Sequence, residues 1–234
     1  MELLPVTEIS GFFGAGHSVS PAPAFARTSS SIRAVEDIAD IALLFEDAVN
    51  VIVLRRPENA SLITEARGAL EHPGFRVMLP VLPSATGLAN LMERMPHMPC
   101  LAHEVHFWTE VLAELTGCEL VGVRLARVES AMCPRFHVDK VTVRLVGTFA
   151  GDGTEYIATE DVDRRFLGHA ARGASDESSG LLRNGAQVHR ANCGDVVLLK
   201  GEAWPDNAGR GAVHRSPAAS AAEPRLVMTL DPLE

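Results

Sequence analysis

Two histidines and one aspartate in the second half of the chain are of residue types that bind metal ions. His137 and Asp139 are separated by one residue, and His214 follows much later. On an extended segment, residues two apart point to the same face, so this imidazole and this carboxylate can hold one ion together. Two histidines and one carboxylate on one face of octahedral Fe(II) leave three open positions, two for a chelating 2-oxo acid and one for dioxygen. His137, Asp139 and His214 are therefore candidate metal ligands.

The His-x-Asp pair carries little weight by itself. The chain has 9 histidines and 30 acidic residues among 234, so about one such pair is expected by chance. Without a metal, His137 and Asp139 would be a hydrogen-bonded pair at a strand end, and His214 would be a core residue. The observation that separates these alternatives is whether the three side chains reach a common point at metal-bonding distances of about 2.0 to 2.2 Å.

Arg225, at the start of the last predicted strand, is the candidate site for an acidic cosubstrate. A buried guanidinium can bind a carboxylate through two parallel hydrogen bonds. Its alternative role is a salt bridge with Asp231 or Glu223, which are close to it in the sequence. Arg144 and Lys200, both on predicted strands, are substitute anchors.

After Gly117 the apolar residues change from helical spacing to alternation, which is typical of strands. The predicted strands are 120–125, 141–146, 154–157, 186–190, 196–200, 212–214 and 226–230. Many short strands separated by regular turns favour a β-sandwich or barrel. The sequence predicts an α+β fold with a jelly-roll core at 118–234, and a Gly, Ala and Ser-rich loop at 168–185 is a candidate lid.

Residues 35–117 are predicted to form a mainly helical segment with short strands that packs on this core. The predicted elements are a helix near 35–45, strands at 51–54 and 75–79, a helix at 59–70 capped by Asn59, and a long helix at 97–117 ending at Gly117. Residues 1–34 are rich in Gly, Ser and Pro and are predicted to be an irregular leader.

The composition excludes several classes of protein. Hydrophobic residues make up 47% and charged residues 22%, which is enough apolar side chain for a core. A net charge of -9 opposes binding to nucleic acid or to an anionic membrane. Because the sequence contains neither a signal peptide pattern nor an apolar run of about 20 residues, we expect a cytoplasmic protein. Its cysteines are expected to be reduced, with Cys133 buried among apolar neighbours.

The order of these motifs resembles the Fe(II)/2-oxoglutarate-dependent oxygenase superfamily and its cupin-like double-stranded β-helix. Local strings that resemble the DUF1826 family more closely are CPRFHVD at 133–139, GDGTE at 151–155, LKGEAW at 199–204 and HRSP at 214–217. The superfamily resemblance implies that His137, Asp139 and His214 bind the metal. It also implies that Arg225 anchors the 2-oxoglutarate carboxylate. Superfamily members often have a hydroxyl two residues after that arginine, where this chain has Val227.

The candidate ligands support three hypotheses of function. In the first, the protein is a hydroxylase-type dioxygenase that uses Fe(II) and 2-oxoglutarate on a small-molecule or peptide substrate, which the sequence does not specify. In the second, the same residues hold Zn(II) alone in a non-enzymatic protein of metal homeostasis. In the third, a jelly-roll interaction or carbohydrate-binding module binds no metal, and the three side chains have no reason to converge.

Overall fold

The computed structural model describes residues 31–168 and 173–233. The strands in these ranges are β1 (Ile32–Val35), β2 (Val51–Leu54), β3 (Arg76–Val81), β4 (Leu120–Val128), β5 (Val143–Ala150), β6 (Glu155–Ile157), β7 (Val188–Arg190), β8 (Val196–Lys200), β9 (Val213–Arg215) and β10 (Arg225–Leu233). The α-helices are α1 (Ala60–Leu70), α2 (Ala85–Arg94) and α3 (Pro99–Thr116). Shorter 3₁₀ helices span Ile38–Phe45, Thr159–Asp161 and Arg164–Phe166. No helix in the described part of the chain has the length and apolar character needed to cross a membrane.

The strands form two β-sheets in the described part of the chain. The larger has seven strands in the order β1-β2-β8-β5-β10-β4-β3, and the smaller has the order β7-β6-β9. The β1 and β2 strands pair in parallel, whereas the other neighbours are antiparallel. Strands from the first half of the chain therefore form both edges of the large sheet around strands from the second half.

Alternation along the strands gives the large sheet two different faces. On β10, Leu226, Met228 and Leu230 belong to the main apolar core, which also contains Trp108 of α3. The intervening Val227 packs in a second apolar cluster on the other face. Because successive strand residues point to opposite faces, one face of the sheet packs on the helices and the other is left for the cavity described below.

Helix α3 has the boundaries and the apolar stripe that the sequence predicts. Pro99 lies in its first turn, and Gly117 ends it in the left-handed conformation with φ 71°, which costs little for glycine. The carboxylate of Glu65 on α1 accepts hydrogen bonds from the backbone N–H groups of Cys100 and Leu101. Helix α1 thus satisfies free donors at the start of α3 and fixes the two helices against each other.

The predicted caps and strands are largely confirmed, with four local corrections. The helix predicted near 35–45 is a 3₁₀ helix that begins at Ile38, and residue 35 belongs to β1. Residues 31–34 of the predicted irregular leader are described, and most of them form β1, while residues 1–30 lie outside the described residues. Helix α2 was not predicted, and its buried residues are Gly87 and Leu91. Strand β3 continues through Pro80, which an edge strand tolerates.

The fold is mixed, with α-helices on one face of a large sheet. The division into segments 1–34, 35–117 and 118–234 stays a prediction. The hydrogen bonding shows that β1, β2 and β3 are strands of the large sheet.

Gly201, just after β8, is a position where the fold excludes a side chain. A Cβ there would lie 1.8 Å from the carbonyl oxygen of Val141 and 3.2 Å from that of Asp139. We expect Gly201→Ala to lower the free energy of unfolding by roughly 1 to 3 kcal/mol, because the backbone around Asp139 must move. Urea unfolding followed by circular dichroism measures the change.

The matched control is Gly68→Ala in helix α1, where nothing lies within 4 Å of the added Cβ. That substitution should raise stability by about 0.5 to 1 kcal/mol, since alanine loses less backbone entropy than glycine in a helix. Equal stability of the two variants would contradict the close backbone approach at Gly201.

Candidate metal centre

Backbone pairing brings the two candidate histidine ligands together. The N–H of His137 donates to the carbonyl of His214, and the N–H of His214 donates to the carbonyl of His137, both at 3.0 Å. The two rings have centroids 4.4 Å apart. His214 also pairs with Tyr156 of β6, so the smaller sheet fixes its register.

Hydrogen bonds to the backbone orient both imidazoles. The Nδ1 atom of His137 lies 3.0 Å from the carbonyl oxygen of Arg135, and the Nδ1 atom of His214 lies 3.0 Å from that of Ala212. A neutral ring that donates from Nδ1 keeps the lone pair of Nε2 free for a metal. Burial lowers the pKa of His137 and the adjacent His214 lowers it further, which favours this neutral form.

Asp139 completes the group. Its Oδ1 lies 3.7 Å from Nε2 of His137, and its Oδ2 lies 3.3 Å from Nε2 of His214. One ligand atom from each residue lies within 4.8 Å of the others. Both separations between Asp139 and the histidines are shorter than the roughly 4.4 Å that two atoms bound to one ion at about 2.2 Å can span. The three predicted ligand residues are thus close together, and metal binding by them stays a prediction.

Arg144 holds the Asp139 carboxylate in place. Its Nη1 donates to Oδ2 of Asp139 at 2.9 Å, while Nε and Nη2 bind both oxygens of Asp231 at 2.7 and 2.8 Å. Burial alone would raise the pKa of Asp139, but His214 and Arg144 lower it overall and keep the carboxylate ionised. Since Arg144 binds two carboxylates, it has less capacity to anchor a cosubstrate. Asp231 forms its salt bridge with Arg144 and not with Arg225.

A cavity of about 600 Å³ opens beside the histidines and reaches Arg225. Arg225 is 2% exposed, its Nε donates to the carbonyl of Asp152, and its buried Nη2 has no hydrogen-bond partner. Burial lowers the pKa of Arg225 to about 10, so it remains a cation at neutral pH. Val227 and Thr229 line the same cavity.

Lys200, the other substitute anchor, lies elsewhere. Its Nζ donates to the carbonyl of Glu46 at 3.0 Å and is 5.1 Å from the centre of the Trp204 ring. It alternates along β8 with Leu199, which packs in the cluster on the cavity face. Lys200 therefore projects to the helix-covered face of the large sheet, away from the candidate ligands.

Asp176 is a structural partner of the site that the sequence did not identify. It is 2% exposed and accepts hydrogen bonds from the backbone N–H of Phe136 and from the side chains of Arg135 and Arg215. These partners are the chain neighbours of His137 and His214, so Asp176 ties together the two segments that carry the histidines. The sequence placed it only within the loop at 168–185, whose role as a lid stays a prediction and whose residues 169–172 lie outside the described residues.

The prediction that Cys133 is buried was wrong. Its thiol is exposed and contributes to the lining of the cavity. The backbone carbonyl of Cys133 accepts a hydrogen bond from Ser216 N–H, so the main chain here continues the pairing between the segments of His137 and His214. This pairing fixes the backbone and leaves the thiol outside the apolar core.

Comparison with solved structures finds the same fold in proteins of low sequence identity. The crystal structure of the dioxygenase for auxin oxidation in rice is 13% identical, with a TM-score of 0.51, over 86% of this chain and 83% of that chain. Dioxygenase for auxin oxidation 1 from Arabidopsis thaliana, in a binary complex with 2-oxoglutarate, is 10% identical, with a TM-score of 0.50, over 86% of this chain and 92% of that one. At this identity the likeness establishes a shared fold.

The chain belongs to the family described as protein of unknown function (DUF1826), whose model matches residues 35–231. No curated protein sequence matches the chain. The family and the fold agree with the resemblance carried by the sequence motifs.

The role of Asp176 can be tested by comparison with its exposed neighbour. We expect Asp176→Ala to lower the free energy of unfolding by about 2 kcal/mol, because it leaves the buried backbone N–H of Phe136 without an acceptor and removes a carboxylate shared by Arg135 and Arg215. Glu177 binds the same Arg215 at 3.1 Å but is 61% exposed, so Glu177→Ala should cost at most about 1 kcal/mol. Denaturant unfolding of both variants measures the difference, and equal losses would contradict the role given to Asp176.

Proposed function

We propose that the protein is an Fe(II)- and 2-oxoglutarate-dependent oxygenase. The observation that carries the proposal is the convergence of the donor atoms of His137, Asp139 and His214 beside a cavity that contains an unpartnered guanidinium nitrogen of Arg225. The shared fold with dioxygenases supports it, and one of those, from Arabidopsis thaliana, is in complex with 2-oxoglutarate.

The donor set suits Fe(II). Two neutral imidazoles and one carboxylate on one side of an ion are the ligands of non-haem iron oxygenases, and they leave positions open for other molecules. The Nδ1 bonds to backbone carbonyls and the Arg144 bond to Asp139 fix the ligand orientations before any ion binds.

The side chains around the centre would bind and orient the cosubstrate. Arg225 is a buried cation with a free Nη2, so it would bind the distal carboxylate of 2-oxoglutarate by a charge-assisted hydrogen bond. Val146 and Val227 line the cavity and would limit the access of water. When bound, Fe(II) supplies the redox chemistry by which dioxygen, 2-oxoglutarate and a substrate C–H bond become succinate, carbon dioxide and a C–OH group.

The alternative, a protein that holds Zn(II) alone, uses the same three ligands. It gives no role to the unpartnered Nη2 of Arg225, which an ion bound by three protein ligands does not require. A buried donor without an acceptor is costly, and this cost favours the hypothesis in which an organic anion occupies the cavity.

Anaerobic titration of the metal-free protein with Fe(II) and then 2-oxoglutarate tests the centre. We expect one equivalent of Fe(II) to bind, and addition of 2-oxoglutarate to produce the visible charge-transfer band of a chelated 2-oxo acid. His137→Ala and Asp139→Ala should abolish both, because each removes one of three ligands. Full metal occupancy in both variants would refute the site, and tight Zn(II) binding without any band would favour the zinc hypothesis.

Substitution of Arg225 separates cosubstrate binding from metal binding. We expect Arg225→Gln to bind Fe(II) as the wild type does but to weaken 2-oxoglutarate about 10- to 100-fold, the cost of losing a hydrogen bond to a charged group. The band intensity as a function of 2-oxoglutarate concentration measures this affinity. Arg165→Gln is the control, since the side chain of Arg165 is 83% exposed. If Arg225→Gln binds 2-oxoglutarate as tightly as the wild type does, a residue other than Arg225 anchors its carboxylate.

A further inference from the structure

Arg124 is a second cation without a partner in the cavity that contains the candidate metal centre. It lies on β4, opposite Thr229 of β10, and both residues line the cavity. Its Nε is buried with no hydrogen-bond partner, and no carboxylate in the described ranges lies within ion-pair distance of its side chain. A buried donor without a hydrogen-bond partner is costly, so the Nε of Arg124 requires an explanation.

The other cations around Arg124 do not compensate for it. Burial lowers the pKa of Arg124, and the nearby Arg76 and Arg144 lower it further by repulsion. Arg144 is balanced by Asp139 and Asp231. Arg124 thus resembles Arg225 in facing the cavity with a buried guanidinium nitrogen that has no acceptor among the described residues.

Arg124 and Arg225 start from backbone positions that are well separated along the sheet. Arg225 precedes Thr229, the pairing partner of Arg124, by four residues on β10, which corresponds to about 13 Å along the strand. A 2-oxoglutarate molecule bound at Arg225 would therefore leave Arg124 free for a different anion. The apolar part of the wall near Arg124 is formed by Met78, Pro80 and Leu233, and Asp231, which Arg144 binds, also lines the cavity.

We propose that Arg124 binds the anionic group of the substrate, and that the substrate is a small molecule with an apolar body and one carboxylate or phosphate. This inference rests on the proposed function for the identity of the reaction, but anion binding at Arg124 does not depend on iron. Met78 and Pro80 lie on the neighbouring strand β3 and share the face of Arg124, so they would contact the apolar body. An anion at Arg124 would supply the partner that its guanidinium lacks.

Three probes of one shape test the charge requirement: 4-phenylbutyrate, 4-phenylbutyl phosphate and the uncharged 4-phenylbutanamide. Their affinities for the full chain are measured by ligand-observed NMR titration up to 10 mM, with Zn(II) and 2-oxoglutarate added and again without either. We expect at least one anion to bind about tenfold more tightly than the amide or better. The anion that binds more tightly distinguishes a carboxylate substrate from a phosphate substrate.

Three variants assign the preference to a residue. Arg124→Gln should reduce the preference for the anion to less than about threefold, Arg124→Lys should restore part of it, and Arg225→Gln should retain it. Arg124→Gln should keep the melting temperature and the 2-oxoglutarate affinity of the wild type, because Arg124 has no protein partner to lose.

Three results would overturn the inference. The first is a wild-type protein that does not bind the anions, or binds them no better than the amide. The second is an anion preference that survives Arg124→Gln. The third is a loss of 2-oxoglutarate affinity in Arg124→Gln rather than in Arg225→Gln. Failure of the proposed function is distinguishable, because it abolishes the charge-transfer band while the probe measurement without metal is unaffected.

Discussion

The two backbone hydrogen bonds between His137 and His214 are the constraint on which the site depends. They join a segment that follows β4 to strand β9, and they hold the imidazoles side by side on the same face. In a strand pairing, a shift by one residue turns each side chain to the opposite face. The register set by Tyr156 of β6, and the ties made by Asp176 on both sides, therefore protect the position of the donor atoms as well as the fold.

Sequence patterns predicted the elements of this fold better than the contacts between them. Alternation located most strands, and Gly117 marked the end of α3, because these signals depend on neighbouring residues. The role of Asp176 depends on hydrogen-bond partners that are distant in the sequence. The role of Arg124 depends on the lack of such a partner for its buried Nε. Such roles have no local signal. Even the alternation that places Arg124 on the cavity face does not reveal whether a carboxylate lies opposite it.

The candidate ligands illustrate the same limit. The spacing of His137 and Asp139 was compatible with a metal pair, but chance alone explains one such pair in this composition. What the sequence lacked was the long-range pairing that brings His214 to them and the Arg144 bridge from Asp139 to Asp231. The motif order identified the residues through family resemblance, whereas physical reasoning from spacing alone left both alternatives open.

Charge balance in the cavity favours an organic dianion over a bound ion alone. Asp139, Arg144 and Asp231 together carry one negative charge, so a divalent ion at the three ligands leaves one positive charge. Arg225 adds a second, part of which the nearby carboxylates of Asp152 and Glu155 offset. A dianion such as 2-oxoglutarate would neutralise these charges within a partly enclosed space where unbalanced charge is costly. Arg124 lies outside this count, and the anionic group of a substrate would supply its partner. A site that holds only Zn(II) would leave the buried Nη2 of Arg225 without an acceptor.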